Sequence, residues 1–216
     1  MQRIFLSLVI CLLFTMPLPA RDPLNHDFLN HITFDAGAGF TFPLATLADH
    51  TKTGFNFVAS GGPRFNRHLD LTLDFSLHYL DIENSFRSPD GVELSFGSIM
   101  RMWSLTVNPG YEFIKQERFS SYVTGGYGLY NRRLLLAAPG PIPAVACDQF
   151  WKVCVRSSPI SSDMVTGSVS PYKGGYNVGG GVTFGAHTKF FIEARYHHMF
   201  TDVATEVVPL TFGIRW

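Results

Sequence analysis

A period of two constrains this chain more than any other feature. At eight places apolar residues alternate with small or polar ones over nine or more positions, the pattern of β-strands with two chemically different faces. In the first, 32–42, Ile32, Phe34, Ala36, Ala38, Phe40 and Phe42 alternate with Thr33, Asp35, Gly37, Gly39 and Thr41. In 69–80, Leu69, Leu71, Leu73, Phe75, Leu77 and Tyr79 oppose Asp70, Thr72, Asp74, Ser76 and His78. The other six segments are 54–65, 99–113, 119–134, 174–185, 189–200 and 208–216. Pro109 and Arg101 interrupt the fourth, one by removing a ladder donor and one by placing a charge on the apolar face near a strand end, where a long side chain can reach the headgroups.

The connections have their own rhythm. Those at 66–68, 114–118 and 186–188 are tight, those at 43–53, 81–98 and 136–173 are long, and 201–207 is intermediate. An even number of two-faced strands joined by alternating short and long connections predicts an all-β, eight-stranded antiparallel transmembrane β-barrel, with short turns in the periplasm and long loops outside. No stretch of about 18 apolar residues offers a membrane helix, so any span must be made of strands.

A soluble lipocalin-like ligand-binding barrel also alternates, so the composition of the faces has to decide. The apolar faces carry aromatics and long aliphatics. The polar faces mix glycine, serine, threonine and asparagine with Arg64, Asp70, Asp74, Glu112, Glu193, Arg195 and Arg215, and almost no lysine. Small residues with opposed charges suit a narrow polar lumen, filled by an ion-pair network in a barrel too small for a channel. The chain has 20 Phe, 8 Tyr, 3 Trp and 20 Gly, and its 17 basic side chains balance 17 acidic ones. That neutrality gives no electrostatic case for a nucleic-acid partner.

At the start, a short basic end, an uncharged run from Ile4 to Met16 and the small Ala20 read as a signal peptide over 1–20, with cleavage near Ala20. A periplasmic segment over 21–30 and one barrel domain over 31–216 follow from this reading, and Cys11 leaves with the leader.

The stretch 37–86, the segment Glu193 to Phe200 (EARYHHMF) and the ending Val208 to Trp216 (VPLTFGIRW) resemble the outer-membrane β-barrel domain family of small OmpA, OmpX and opacity-type barrels. The resemblance implies a bacterial outer-membrane location, with lipid and lipopolysaccharide around the barrel. It also implies that Leu210, Phe212, Ile214 and Trp216 form the signal read by the barrel-assembly machinery, although Phe is the family's usual last residue. Roles in that family range over adhesion, structural support and a few lipid-modifying enzymes, so fold analogy does not choose among them. The expectation is a non-enzymatic protein whose loops serve envelope integrity, adhesion or partner binding, with no cofactor and no metal.

One enzymatic alternative can be stated residue by residue. Arg195-Tyr196-His197-His198 resembles the Arg-Tyr-x-His that precedes the catalytic serine of lipid A deacylase barrels, with His198 facing lipid. Two positions on stands Phe200, which has no hydroxyl for a histidine to deprotonate, and Thr201 falls on the opposite face. His197 is expected inside, hydrogen-bonded among Glu193 and Arg195.

Cys147 and Cys154 are the only cysteines after the leader, and export makes a disulfide the expected state. They bracket Phe150 and Trp151 in the longest loop, 136–173, which is the expected recognition surface for an extracellular ligand. Two readings of Trp151 stay open there: an aromatic anchor presented to a partner, or packing onto neighbouring loops.

Overall fold

In a computed structural model, the alternating segments become strands because one face can be given to an apolar medium and the other to a polar interior. The structure describes residues 32–216 except 88–92, 117, 137–144, 149, 152, 157–171, 186–187 and 202–204, and gives the backbone alone for 83–87, 93–98, 135–136, 145–148 and 153–156. The predicted leader and the segment 21–30 lie outside the described residues.

Ten strands follow in order: β1 (Ile32–Pro43), β2 (Gly54–Pro63), β3 (Leu69–Arg87), β4 (Glu93–Lys115), β5 (Phe119–Leu136), β6 (Val145–Asp148), β7 (Val153–Arg156), β8 (Tyr172–Phe184), β9 (Lys189–Met199) and β10 (Thr205–Arg215). Eight of them run β2-β1-β10-β9-β8-β5-β4-β3, and β3 pairs back onto β2, closing an antiparallel barrel. Closure leaves no open sheet edge, the condition for strands to cross lipid. The seam between the first and last strands is tight: Phe34 and Trp216 exchange both backbone hydrogen bonds at 3.0 Å.

The three short connections gather at one end. After β2, Asn66 Oδ1 accepts from the amides of His68 and Leu69, at 2.8 and 2.9 Å. After β8, Gly185 takes a φ of 124°, a conformation that favours a residue without Cβ, and its amide donates to Arg118 O in the neighbouring turn. The other end carries the long connections, and in barrels of this kind it faces outward.

The structure departs from the sequence reading at that long-loop end. Much of 81–98 is strand, not loop: β3 and β4 pair continuously out to Arg87↔Glu93, so they extend 19 and 23 residues. The predicted loop 136–173 contains a two-stranded hairpin, β6–β7, joined to β3 at Arg87↔Cys147. The alternation weakens where a strand leaves the bilayer and both of its faces meet protein or water. A period of two therefore does not mark these extensions.

Candidate functional site: a filled lumen and a capped mouth

Which face points inward is settled by burial. On the outside Phe57, Leu73, Val123 and Tyr127 are half exposed or more, whereas Asn56, Thr72, Asp74, Thr106 and Thr124 on the other face are buried. An apolar exterior with a polar interior inverts the usual soluble pattern and matches a barrel in lipid.

The interior near the short-turn end holds charge. Arg215 from β10 donates Nε and Nη2 to the two carboxylate oxygens of Asp35 on β1, at 2.7 and 2.8 Å, in the bidentate geometry that suits a guanidinium. The strand register places these two residues directly opposite each other. Glu112 on β4 takes Arg64 at 3.3 Å and Lys115 at 3.1 Å, and lies 3.8 Å from Arg215. Asp70 joins the same end through its backbone bridge to Arg64, with its carboxylate over Gly110 in space that a Cβ would occupy. The face of Tyr122 supports the Arg215 guanidinium, 4.6 Å from the ring centroid.

One layer up, Arg195 on β9 bridges Asp74 on β3 and Glu193, the latter at 2.8 Å, and Tyr122 donates its hydroxyl to Glu193 at 3.0 Å. The lumen closes on itself because glycines leave room for these chains. A Cβ at Gly181 would stand 2.7 Å from Tyr122 Oη and 2.6 Å from Ile192 O. All seven residues expected in the lumen face it, Arg64 being the most exposed of them. Asp35 and Tyr122 belong with them; Asp35 was visible in the alternation, while Tyr122 lies on a glycine-interrupted strand with a weak period.

Above this layer the chemistry changes to neutral polar groups. His78 is held by Thr41 Oγ1 at Nδ1 and Ser76 Oγ at Nε2, at 2.9 and 3.0 Å. His197 meets the Tyr130 hydroxyl at 3.1 Å and stands edge-on to His78 at 5.5 Å. This corrects one expectation: His197 is inside, but its hydrogen-bond partner is Tyr130, because Glu193 and Arg195 turn toward Asp74 and Tyr122 lower down. Among the described residues no three histidine, cysteine or acidic side chains gather as a metal site would require.

At the long-loop end the interior turns apolar. Leu80, Ile82, Met100, Met102, Leu134, Met199 and Val207 point inward and are buried, together with Leu47 of a short 3-10 turn (Ala45–Leu47) and Trp151. Trp151 is 4% exposed, and Arg132 lies over its ring at 4.9 Å. Phe150 is partly buried and stacks on His50 at 3.8 Å. Of the two readings of Trp151 left open by the sequence, burial favours packing against the mouth over display as an anchor. The physical reason is the apolar mouth: an indole beside such a cluster removes more surface from water by covering it than by facing solvent.

Cys147 and Cys154 are Cα partners across the β6–β7 ladder, while their side chains lie outside the described residues. The expected assembly residues Leu210, Phe212, Ile214 and Trp216 all lie on the outer face of β10 or at its end.

His198 faces outward, as expected, near the rim of the long-loop end. Its Nδ1 lies 3.2 Å from Glu206 Oε1 on β10 and 3.3 Å from the Tyr196 hydroxyl, and its ring is flanked by Tyr176 and Phe200 at 5.2 and 5.3 Å. Glu206 was not anticipated; cross-strand register to His198, and no local motif, brings it there. A histidine with a carboxylate partner supplies two of the three members of a hydrolytic triad. Phe200 occupies the place of the nucleophile, and Thr201 bonds instead to Met199 O and Thr205.

These features define a class: a small eight-stranded barrel of the bacterial outer membrane, with its lumen filled by side chains. The chain belongs to the outer membrane protein beta-barrel domain family, whose model matches residues 10–215. Similar solved structures include neisserial surface protein A, at 15% identity and TM-score 0.53 over 85% of this chain and 95% of that one. A major outer membrane protein from Thermus thermophilus matches at 10% identity and TM-score 0.53, over 86% and 98%. The attachment invasion locus protein Ail of Yersinia pestis, in complex with sucrose octasulfate, matches at 18% identity and TM-score 0.47 over 86% and 98%. No curated protein matches the chain.

Proposed function

We propose that this protein is a non-enzymatic outer-membrane barrel that acts through its long-loop end, supporting the envelope and binding an extracellular partner on a platform of strands above the membrane. The observation that carries this reading is the combination of a closed interior with overlong strands. Ion pairs and then an apolar cap fill the lumen, which argues against a channel. β3 and β4 run 19 and 23 residues where a tilted membrane strand needs about 9–11, and β6–β7 pairs onto β3 beyond the barrel. Hydrogen-bonded strands projecting into water pre-organise a surface, which lowers the ordering cost of binding.

In this reading the band of outward aromatics and aliphatics meets lipid, the ending Leu210, Phe212, Ile214 and Trp216 meets the barrel-assembly machinery, and the extracellular ligand contacts the hairpins of β3–β4 and β6–β7. The residues that touch it belong to the hairpin backbone surface; the buried Trp151 positions them.

A strain lacking the gene, and one expressing a chain with 145–156 replaced by a short Gly-Ser linker, test this. Loss of cell attachment or surface ligand binding in both, with heat-modifiable gel migration intact in the second, is the expected result. Unchanged attachment, binding and detergent sensitivity in both strains would refute the reading. A second reading, a lipid A-modifying enzyme, draws on the His198–Glu206 pair alone. Mass spectra of lipid A from the same strains separate the two: an acyl chain whose removal depends on His198 would establish the enzyme.

A further inference from the structure

Two outward-facing positions break the apolar surface together. Arg101 on β4 and Arg133 on β5 are both exposed and are Cα partners across the β4–β5 ladder. Their chain neighbours Met100, Met102, Arg132 and Leu134 are buried, so the two guanidinium groups leave the same outer face. Like charges directly opposite on one sheet face repel. Among the described residues neither arginine makes an ion pair, and Asp81, a carboxylate on that same outer face, makes none with them. Among the described residues Arg101 leans on the face of Tyr79, at 5.5 Å.

Their depth in the membrane is set by the strand. From Phe113, near the short-turn end of β4, to Arg101 is 12 residues, which at about 3.3 Å each and a tilt of about 40° rises about 30 Å. That lies just beyond an apolar band of about 25 Å, at the headgroups of the outer leaflet. Trp103, two residues nearer the bilayer, packs edge-on against Tyr172 at 5.8 Å, as rings of an interfacial girdle do.

We propose that Arg101 and Arg133 form a two-guanidinium clamp for a phosphate of a phosphorylated glycolipid in the outer leaflet. Guanidinium groups on directly paired residues of one face can both reach the oxygens of a single phosphate, Arg101 by swinging from Tyr79 toward Arg133, and a dianion between them turns the repulsion into attraction. The edge of the bilayer strengthens the pairing by lowering the local dielectric. The proposal rests on the barrel and its location, and is independent of the surface-binding reading of the hairpins.

The test uses the purified full-length mature protein in detergent micelles, with fluorescent bisphosphorylated lipid A followed by anisotropy. Arg101→Gln and Arg133→Gln each weaken binding about fivefold and together about thirtyfold, from about 1 kcal/mol per cationic contact at a membrane surface. The Arg101→Lys/Arg133→Lys variant, which keeps the charge and loses the fork, falls between wild type and the double Gln variant and assembles by heat-modifiable migration even if the Gln variants do not. Dephosphorylated lipid A binds wild type as weakly as phosphorylated lipid A binds the double Gln variant. Undiminished binding in all variants, equal binding of dephosphorylated lipid A, or equal affinity for phosphatidylglycerol would each overturn the proposal.

Discussion

The two halves of the interior solve opposite problems with the same strands. At the short-turn end the barrel wall faces lipid, and the inward positions of β1, β3, β4, β9 and β10 hold Asp35, Asp74, Glu112, Arg195 and Arg215 in mutual ion pairs. At the long-loop end the inward positions of β3, β4, β5 and β9 hold Leu80, Met100, Leu134 and Met199. Where the outside is lipid, burying apolar side chains inside gains little over leaving them outside, and a polar filling holds the fold through hydrogen bonds and charge. Where the outside passes from lipid through the headgroups into water, the hydrophobic effect returns, and the barrel builds the small core that a soluble domain would. The polarity of a barrel's interior thus tracks what surrounds it at each height.

The largest expected effect breaks the polar half. Arg195→Met leaves Asp74 and Glu193 facing each other without their cation, and loss of one partner of a buried network costs about 3–5 kcal/mol. Urea titration of the protein refolded in detergent would show it as a lowered midpoint. Replacing the three together, Asp74→Leu with Glu193→Met and Arg195→Met, removes the charges as a unit and costs much less. A triple variant as unstable as the single one would show that the lower lumen needs charge for its own sake, and the comparison would fail.

The apolar half gives a smaller and more local effect. Met100→Ala opens a cavity among Leu80, Met102 and Leu134 and costs about 2–4 kcal/mol. Hydrogen exchange should show amides of the outer parts of β3 and β4 losing protection while those beside the short turns keep theirs. Uniform loss along both strands would mean that the two halves unfold as one unit.

The lower half was legible in the sequence because lipid on one side and a lumen on the other impose a strict period of two, as in Leu69 to Tyr79. Orientation of the faces also followed, since glycine and opposed charges suit a lumen better than a water-exposed surface. The upper half was not. Leu80, Ile82, Met100 and Met102 stand at inward positions and are apolar, so the alternation dissolves just where the core begins, and β3 and β4 read as ending early. The two readings of Trp151 stay open in the sequence for the same reason: nothing local in 136–173 indicates that an apolar mouth lies beneath it. His198 was placed correctly, but Glu206 reaches it only through the register of β9 and β10, which spacing along one strand does not contain.

The smallest effect sharpens the comparison at the very top of the cap. Directly opposed residues of an antiparallel pair stand about 4.5–5.5 Å apart at Cα, within the span of a disulfide, so the register of Cys147 with Cys154 suits the expected bridge. A bridge closing that eight-residue segment would stabilise the hairpin by about 2.5 kcal/mol in the chain-entropy account, mostly by restricting its open states. The barrel would share little of this gain, because among the described residues β6–β7 meets it at Arg87 and through Trp151 and Phe150. Reduction, or Cys147→Ser with Cys154→Ser, should therefore leave the urea midpoint of the barrel unchanged while proteolysis between β6 and β7 accelerates. Trp151 fluorescence reports the coupling between hairpin and mouth. A red shift on reduction means that the bridge holds the indole in its apolar seat. If the emission stays blue while the hairpin is cut, the seat holds Trp151 without the bridge, and the cap belongs to the barrel's own outer core more than to the loop that carries it.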